Sequence, residues 1–219
     1  MLKKKNKRPW PTKEAMEQVY AQNLWGSNAD DFYSGEGSHN PTIVVPYVNV
    51  VTSFLKSFKQ RLTVCDFGCG DFNVGKQLVN YAASYVAVDI VPSLIAHNKA
   101  TFKADNLTFQ CLNIAEDEMP TCDCALIRQV FQHLSNAEIQ NALEKLKEFT
   151  YLIITEHVPT GNFEPNVDII SGQGTRLKKD SGVDVLAPPF SLSVIQQKEL
   201  LVINLAGNRG RIVTTLYAL

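Results

Sequence analysis

Two carboxylates and two glycines at fixed spacing are the residues of this chain best suited to hold a ligand. Within residues 62–75, LTVCDFGCGDFNVG, an apolar run opens into Asp66, Gly68 and Gly70, and a helix is expected to follow. A second apolar run, 85–90, ends in Asp89. A carboxylate at that distance is where a βαβ nucleotide site binds ribose. Glycine at 68 and 70 allows backbone angles and close approaches that a Cβ would forbid, so the turn can lie against a bound molecule. The chemistry implied is the binding of a nucleotide-like cofactor.

Which cofactor follows from what the loop lacks. A pyrophosphate loop of the G-x-G-x-x-G type needs glycine or alanine at position 73, which is Asn73, and the next glycine, Gly75, comes too late. Asp66 and Asp71 also flank the loop with negative charge that would repel a pyrophosphate. A sulfonium carrying an amino-acid ammonium and a ribose tolerates or uses those carboxylates. The loop therefore favours S-adenosylmethionine over a dinucleotide.

These residues must be positioned by the elements around them. From residue 62 the pattern alternates strand and helix, with strands expected at 62–67, 85–90, 107–112, 124–128 and 151–156 and helices in the gaps. Pro92 suits the first turn of one helix, and Ser135 with Glu138 forms a capping box opening another, with Ile139, Leu143 and Leu146 as its apolar face. Two final runs, 200–205 and 212–219, flank the turn AGNRG and predict an antiparallel hairpin. Upstream, 12–24 reads as a helix after Pro9 and Pro11. Asn40 and Pro41 read as a cap and first helical residue, with Val44, Val48, Val51, Leu55 and Phe58 at helical spacing despite Pro46. The fold class is α/β, a mostly parallel sheet with helices on both faces.

Four stretches in order carry a resemblance: VCDFGCG, VAVDI, FQCLNI and CDCALIRQVFQHL. From about residue 62 to the C-terminus the chain resembles the class I S-adenosylmethionine-dependent methyltransferases. Phe72 departs from the family pattern, which often has a third small residue there. The resemblance implies a Rossmann-like seven-stranded sheet completed by the C-terminal hairpin. The chain is expected to divide into residues 1–40, comprising a basic tail, a helix and a segment that reads as a lid or a surface loop, and 41–219, the methyltransferase domain.

Ligands of open α/β sheets lie beyond the carboxyl ends of the strands, where strand order reverses. That rule selects Asp66, Gly68, Cys69, Gly70 and Asp71, then Asp89 with Ile90, Asn113 with Ile114, and the segment from Arg128. Asp89 is expected on the ribose hydroxyls, by position and by resemblance. Asn113 stands where the family reads adenine, though a plain turn residue is the other reading. Arg128 and Gln129 match family positions that line the cofactor. His133 is the candidate general base, its imidazole titrating in the useful range, but a histidine here more often packs to orient its loop.

The methyl acceptor is expected among the irregular segments. Residues 25–40 combine Trp25, Phe32 and Tyr33 with Gly35 and Gly37, and read either as a lid with aromatic contacts or as a surface loop. Trp25 and Tyr33 are the candidate acceptor contacts there, with His39 nearby. Glu156 and His157 end the fifth strand as candidate rim residues, sent to opposite faces by strand alternation. His97 is expected mid-helix and exposed. The long stretch 158–192 is expected to supply a substrate cover. Its Ala187-Pro188-Pro189-Phe190 is not the D/N-P-P-Y/F element of amino-methylating enzymes, since it follows the fifth strand and begins with alanine.

Composition bounds the rest. With 219 residues the chain has material for one substantial core, and a net charge of −1 argues against an extended nucleic-acid surface. The exception is the cluster Lys3, Lys4, Lys5, Lys7 and Arg8, read as a solvated tail. No apolar run reaches the ~20 residues of a membrane span. The five cysteines lack a C-x-x-C pair, so no metal site is expected; Cys65, Cys111, Cys122 and Cys124 read as small apolar residues in or beside strands, in a reducing, cytoplasmic setting. The expected function is methyl transfer from S-adenosylmethionine to an O, N or S nucleophile of a small or medium-sized acceptor. The alternatives are an RNA methyltransferase using the basic tail and a non-catalytic S-adenosylmethionine-binding partner protein.

Overall fold

A computed structural model describes residues 10–27, 32–207 and 209–219. The basic cluster at residues 3–8 lies outside the described residues. Seven strands, β1 (Thr63–Phe67), β2 (Ser84–Asp89), β3 (Leu107–Cys111), β4 (Cys124–Arg128), β5 (Tyr151–Val158), β6 (Gln196–Asn204) and β7 (Arg211–Ala218), form one sheet. Their order is β3-β2-β1-β4-β5-β7-β6. The first five pair in parallel, and β7 pairs antiparallel with both β5 and β6. The expected hairpin is present, closed by Leu205 N donating to Gly210 O at 3.1 Å.

Strand alternation divides the core into two layers. Cys65, Phe67, Ala125, Ile127, Leu152 and Ile154 pack on one face with Ile139, Leu143 and Leu146 of α5 (Asn136–Leu146) and with Val185, Phe190 and Leu192 of the long segment after β5. Val64, Tyr85, Ala87, Leu126 and Ile153 pack on the other with Val44, Tyr47, Val51 and Leu55 of α3 (Pro41–Lys56) and Ile95 of α4 (Pro92–Thr101). Sequence signals hold at the helix starts. Asn40 accepts Thr42 N at 3.0 Å as the cap of α3, and Ser135 and Glu138 form the reciprocal capping box of α5. The helix α1 (Thr12–Ala21) is three residues shorter than expected, and α3 ends at Lys56, before Phe58.

The gaps are not all helical. After the loop following β1 the chain makes two 3₁₀ turns, Gly75–Gln77 and Val79–Tyr81, instead of an α-helix. Phe72 takes φ +63° and buries its ring where a first helical turn would run, against Phe102 and Phe109. Asn106 Nδ2 then bonds Val79 O at 3.0 Å and Ala82 O at 3.1 Å, pairing carbonyls that the short turns leave open. The β3–β4 connection is likewise a turn, fixed by Asn113 N donating to Asp117 Oδ2 at 2.8 Å. Two other expectations need correction: Cys111 is exposed, and His97 is half-buried, its ring 5.3 Å from that of Phe32.

Candidate active site

Strand order reverses between β1 and β4, and a cavity of about 450 Å³ opens there beyond their carboxyl ends. Its floor is the loop after β1. Gly68, at φ +71°, brings its Cα so close to the loop after β4 that a Cβ would stand 2.3 Å from Val130 Cγ2. Gly70, at φ +56°, leaves room in the same way for Ser34 Oγ. Gly68 N and Cys69 N both donate to Val88 O, at 2.8 and 2.9 Å, and Asn98 Nδ2 donates to Gly70 O at 2.7 Å, so the loop path is fixed by partners on β2 and α4.

Asp89 ends β2 on the cavity wall and is 8% exposed. Its oxygens accept Gly70 N and Val91 N, each at 3.1 Å. Burial raises its pKa to about 6, against the pull of those amides. Among the described residues no cation bonds it, so a carboxylate with unused lone pairs faces the cavity. A ribose presents hydroxyl donors that would satisfy it. Asn113 and Ile114 line the adjoining wall; Asn113 Oδ1 accepts Ala115 N at 2.9 Å, and its amide nitrogen has no partner among the described residues. Gln129, at φ +56°, also lines the cavity, and its Nε2 is buried with no partner among the described residues. A close-approach loop, a buried acceptor and orphaned donors fit a nucleoside bearing an amino-acid tail.

The remaining wall comes from upstream of the core fold. Thr12, Met16 and Tyr20 of α1 face the cavity with Trp25, Ser34, Gly35, Gly37 and Ser38. Asp71 holds this segment in place by accepting Ser34 N at 2.8 Å and His39 Nε2 at 2.6 Å. Arg128 reaches it from β4, donating to Gly37 O and to Ser38 Oγ at 3.3 Å, with its guanidinium 5.0 Å from the centre of the Tyr47 ring.

Comparison with known proteins agrees with this geometry. A family described as a methyltransferase domain matches residues 65–150, the span from the glycine loop to the end of α5 and its following turn. Residues 65–150 carry a methyltransferase domain. A malonyl-[acyl-carrier protein] O-methyltransferase of Acetivibrio thermocellus is 36% identical over 63 residues, 28% of this chain and only 22% of that protein's length. Among solved structures, the N-methyltransferase NodS of Bradyrhizobium japonicum, in complex with S-adenosylhomocysteine, superposes with a TM-score of 0.66 at 12% identity, over 93% of this chain and 98% of that one. A 1,6-didemethyltoxoflavin-N1-methyltransferase of Burkholderia thailandensis gives 0.57 at 13% identity, over 94% and 86%. At such identities the structural likeness speaks to the fold.

The residues expected at the site separate into two sets. Gly68, Gly70, Asp89, Ile90, Asn113, Ile114, Arg128, Gln129, His133 and Trp25 share the large cavity. Asp66, Cys69 and Asp71 instead line a small chamber of about 30 Å³ behind the loop. Asp66 accepts the Tyr85 hydroxyl at 2.8 Å, and burial raises its pKa to about 6. Tyr33, Glu156 and His157, expected as acceptor contacts, stand off the large cavity. Tyr33 stacks on His39, with ring centres 4.4 Å apart. His157 turns to Arg209 O at 2.6 Å, on the β6–β7 side.

Glu156 and His133 organise the loop after β4 in this domain. Glu156 is 4% exposed and accepts Phe131 N at 3.0 Å and Gln132 N at 2.9 Å; burial raises its pKa to about 8, opposed by these amides and by Arg176. His133 Nδ1 faces Gly172 O and Gly174 O, both at 3.2 Å, so this nitrogen carries the proton. Nε2 is then the acceptor for Gln132 Nε2 at 3.2 Å. Burial lowers the His133 pKa to about 4. Both nitrogens are engaged, so the geometry favours the packing role for His133 over the general base.

Several wall residues had no signal in the sequence. Thr12, Met16 and Tyr20 read as one face of an ordinary amphipathic helix, and Gln173, Thr175 and Lys178 lie in a stretch without periodicity. No described helix is long and apolar enough to cross a membrane. Among the described residues, no group of three His, Cys, Asp or Glu residues is placed to hold a metal ion.

Proposed function

We propose that this protein transfers a methyl group from S-adenosylmethionine to an O, N or S nucleophile on a small or medium-sized acceptor. The observation that carries the reading is the Asp89 carboxylate, buried at the cavity wall, tied to two backbone amides and still able to accept. In this reading Asp89 and Ile90 hold the ribose, Asn113 and Ile114 the adenine, and Arg128 and Gln129 the methionine end. Gly68, Cys69 and Gly70 provide the surface beneath, while Asp66 and Asp71 shape the loop from behind.

S-adenosylmethionine supplies a methyl group already activated on a positive sulfonium, for in-line displacement. What the chain contributes is alignment and exclusion of water. Of the first 40 residues, α1, Trp25 and Ser34 to Ser38 act as the cover, as their place in the cavity wall supports, and 41–219 act as the methyltransferase domain. Trp25 meets the acceptor, with Tyr33, Glu156 and His157 acting only through the elements they hold. The acceptor supplies its own nucleophilic lone pair, because His133 is neutral and doubly hydrogen-bonded. Free cysteines throughout support a cytoplasmic setting.

Isothermal titration with S-adenosylhomocysteine tests the reading. Micromolar binding is expected, weakened at least about tenfold by Asp89→Ala, the loss of a charge-assisted hydrogen-bond pair. Equal affinity in the variant would refute the assignment.

A further inference from the structure

Resting on this reading of the cavity, the structure assigns its acceptor end to a molecule bearing an anionic oxygen group, held by the Lys178 ammonium with the Thr175 hydroxyl. The acceptor end is read as the part of the wall where Trp25, its ring 5.2 Å from that of His133, meets the turn that follows residue 172. Its polar side chains are nearly all engaged. Thr12 donates to Glu138, Gln173 Nε2 donates to Leu24 O at 3.0 Å, and Gln132 and His133 bond each other. Lys178 and Thr175 are different: among the described residues, neither Lys178 Nζ nor Thr175 Oγ1 has a hydrogen-bond or acidic partner.

The charge balance of the wall has one sign at this end. Asp89 is the only carboxylate lining the cavity among the described residues, and it belongs to the cofactor end. Lys178 is exposed at the cavity rim, so water screens its ammonium in the free protein, and its pull on an anion strengthens only as the ligand's body displaces that water. Trp25 supplies an apolar wall there, which suits a planar or hydrocarbon body between the anionic group and the methylated atom.

The turn that carries Lys178 is anchored. It lies in the 3₁₀ turn Arg176–Lys179, and Arg176, 1% exposed, anchors that turn. Arg176 Nη1 donates to Phe131 O and Nη2 to Asn136 Oδ1, both at 2.7 Å. The same guanidinium therefore fixes the loop after β4 and the turn that presents Lys178. An anchored turn lowers the backbone entropy lost on binding relative to a mobile loop, while the exposed Lys178 side chain still has its own freedom to lose.

The test uses the full chain, with benzoate and its neutral isostere benzamide as probes, titrated by NMR into the free protein and into its S-adenosylhomocysteine complex. Benzoate should bind, benzamide at least about fivefold more weakly. Lys178→Met should reduce benzoate affinity at least about fivefold while S-adenosylhomocysteine affinity stays within about twofold, and Lys178→Arg should restore it. Equal binding of the two probes, no benzoate binding, or benzoate binding indifferent to Lys178→Met would each overturn the inference. Loss of S-adenosylhomocysteine binding by the unmutated chain would instead bring down the cofactor reading on which it rests.

Discussion

Asp89 Oδ2 accepts the Gly70 amide at 3.1 Å, tying the end of β2 to the loop that leaves β1. One carboxylate thus shapes the glycine loop and presents itself to the cavity. Its ionised form is the stronger acceptor for ribose hydroxyls, since in the neutral acid one oxygen carries a proton that faces a donor. Because burial raises its pKa to about 6, cofactor binding should depend on pH just below neutrality. Affinity for S-adenosylhomocysteine should be level above pH 7 and about tenfold weaker at pH 5, one unit below the pKa. Titration calorimetry across that range checks this; a flat profile would mean that Asp89 is not the acceptor.

Gly68 makes the second prediction. Its φ of +71° is strained for any residue with a Cβ, and that Cβ would meet Val130 Cγ2 at 2.3 Å. Relief would require the two loops at the strand-order reversal to part. Gly68→Ala should therefore cost about 1–3 kcal/mol of stability in urea melts, and it should weaken S-adenosylhomocysteine by more than the loss of folded protein explains. A variant that melts and binds like the parent would show that the loops need not touch.

Much of this arrangement could be read from the chain because it depends on local chemistry. The loop announced itself through Gly68, Gly70 and Asp89, whose roles require particular residue types, and the starts of α3 and α5 through Asn40-Pro41 and Ser135–Glu138, where a cap has few chemical solutions. The strands were legible as apolar runs with turn residues between them. What stayed hidden depends on packing. The missing helix after β1 follows from Phe72 at positive φ with its ring buried, and nothing about a phenylalanine signals that conformation. Tyr20 and Met16 of α1 read as core residues whether their neighbour is another side chain or a cavity. Glu156 looked like a rim residue at a strand end, yet its partners are the amides of Phe131 and Gln132, which sequence distance conceals.

A third prediction concerns Asp66, whose carboxylate is buried behind the loop with the Tyr85 hydroxyl as its bonded partner. Its folded pKa, raised to about 6, lies above that of an unfolded aspartate at about 3.9. Between these values the native state binds the proton more tightly. Stability from this group is therefore greatest at low pH and is lost as pH rises through 6. Asp66→Asn keeps an acceptor for Tyr85 and cannot ionise. Relative to the parent, the variant should gain about 1 kcal/mol between pH 5 and pH 7.5, read from paired urea melts. A constant difference would mean that Asp66 titrates in the ordinary range.

His133 separates positioning from proton transfer. Its Nδ1 sits between the carbonyl oxygens of Gly172 and Gly174, and its Nε2 accepts from Gln132, which fixes a single neutral tautomer. Burial lowers the pKa to about 4, so the ring should not gain a proton anywhere between pH 5.5 and 8. In ¹⁵N-detected NMR of the full chain, one of the four histidines should show a protonated Nδ1 and an unprotonated Nε2 with no pH dependence in that window, and His133→Asn should remove that signal. The ring also bridges the loop after β4 to the turn carrying Gln173 and Thr175. His133→Asn should therefore loosen that turn, measured as faster amide exchange at residues 172–178, while Asp89 and its cofactor contacts stay in place. If the His133 signal instead titrates near pH 6.5, the ring is free to take a proton and the general-base role returns.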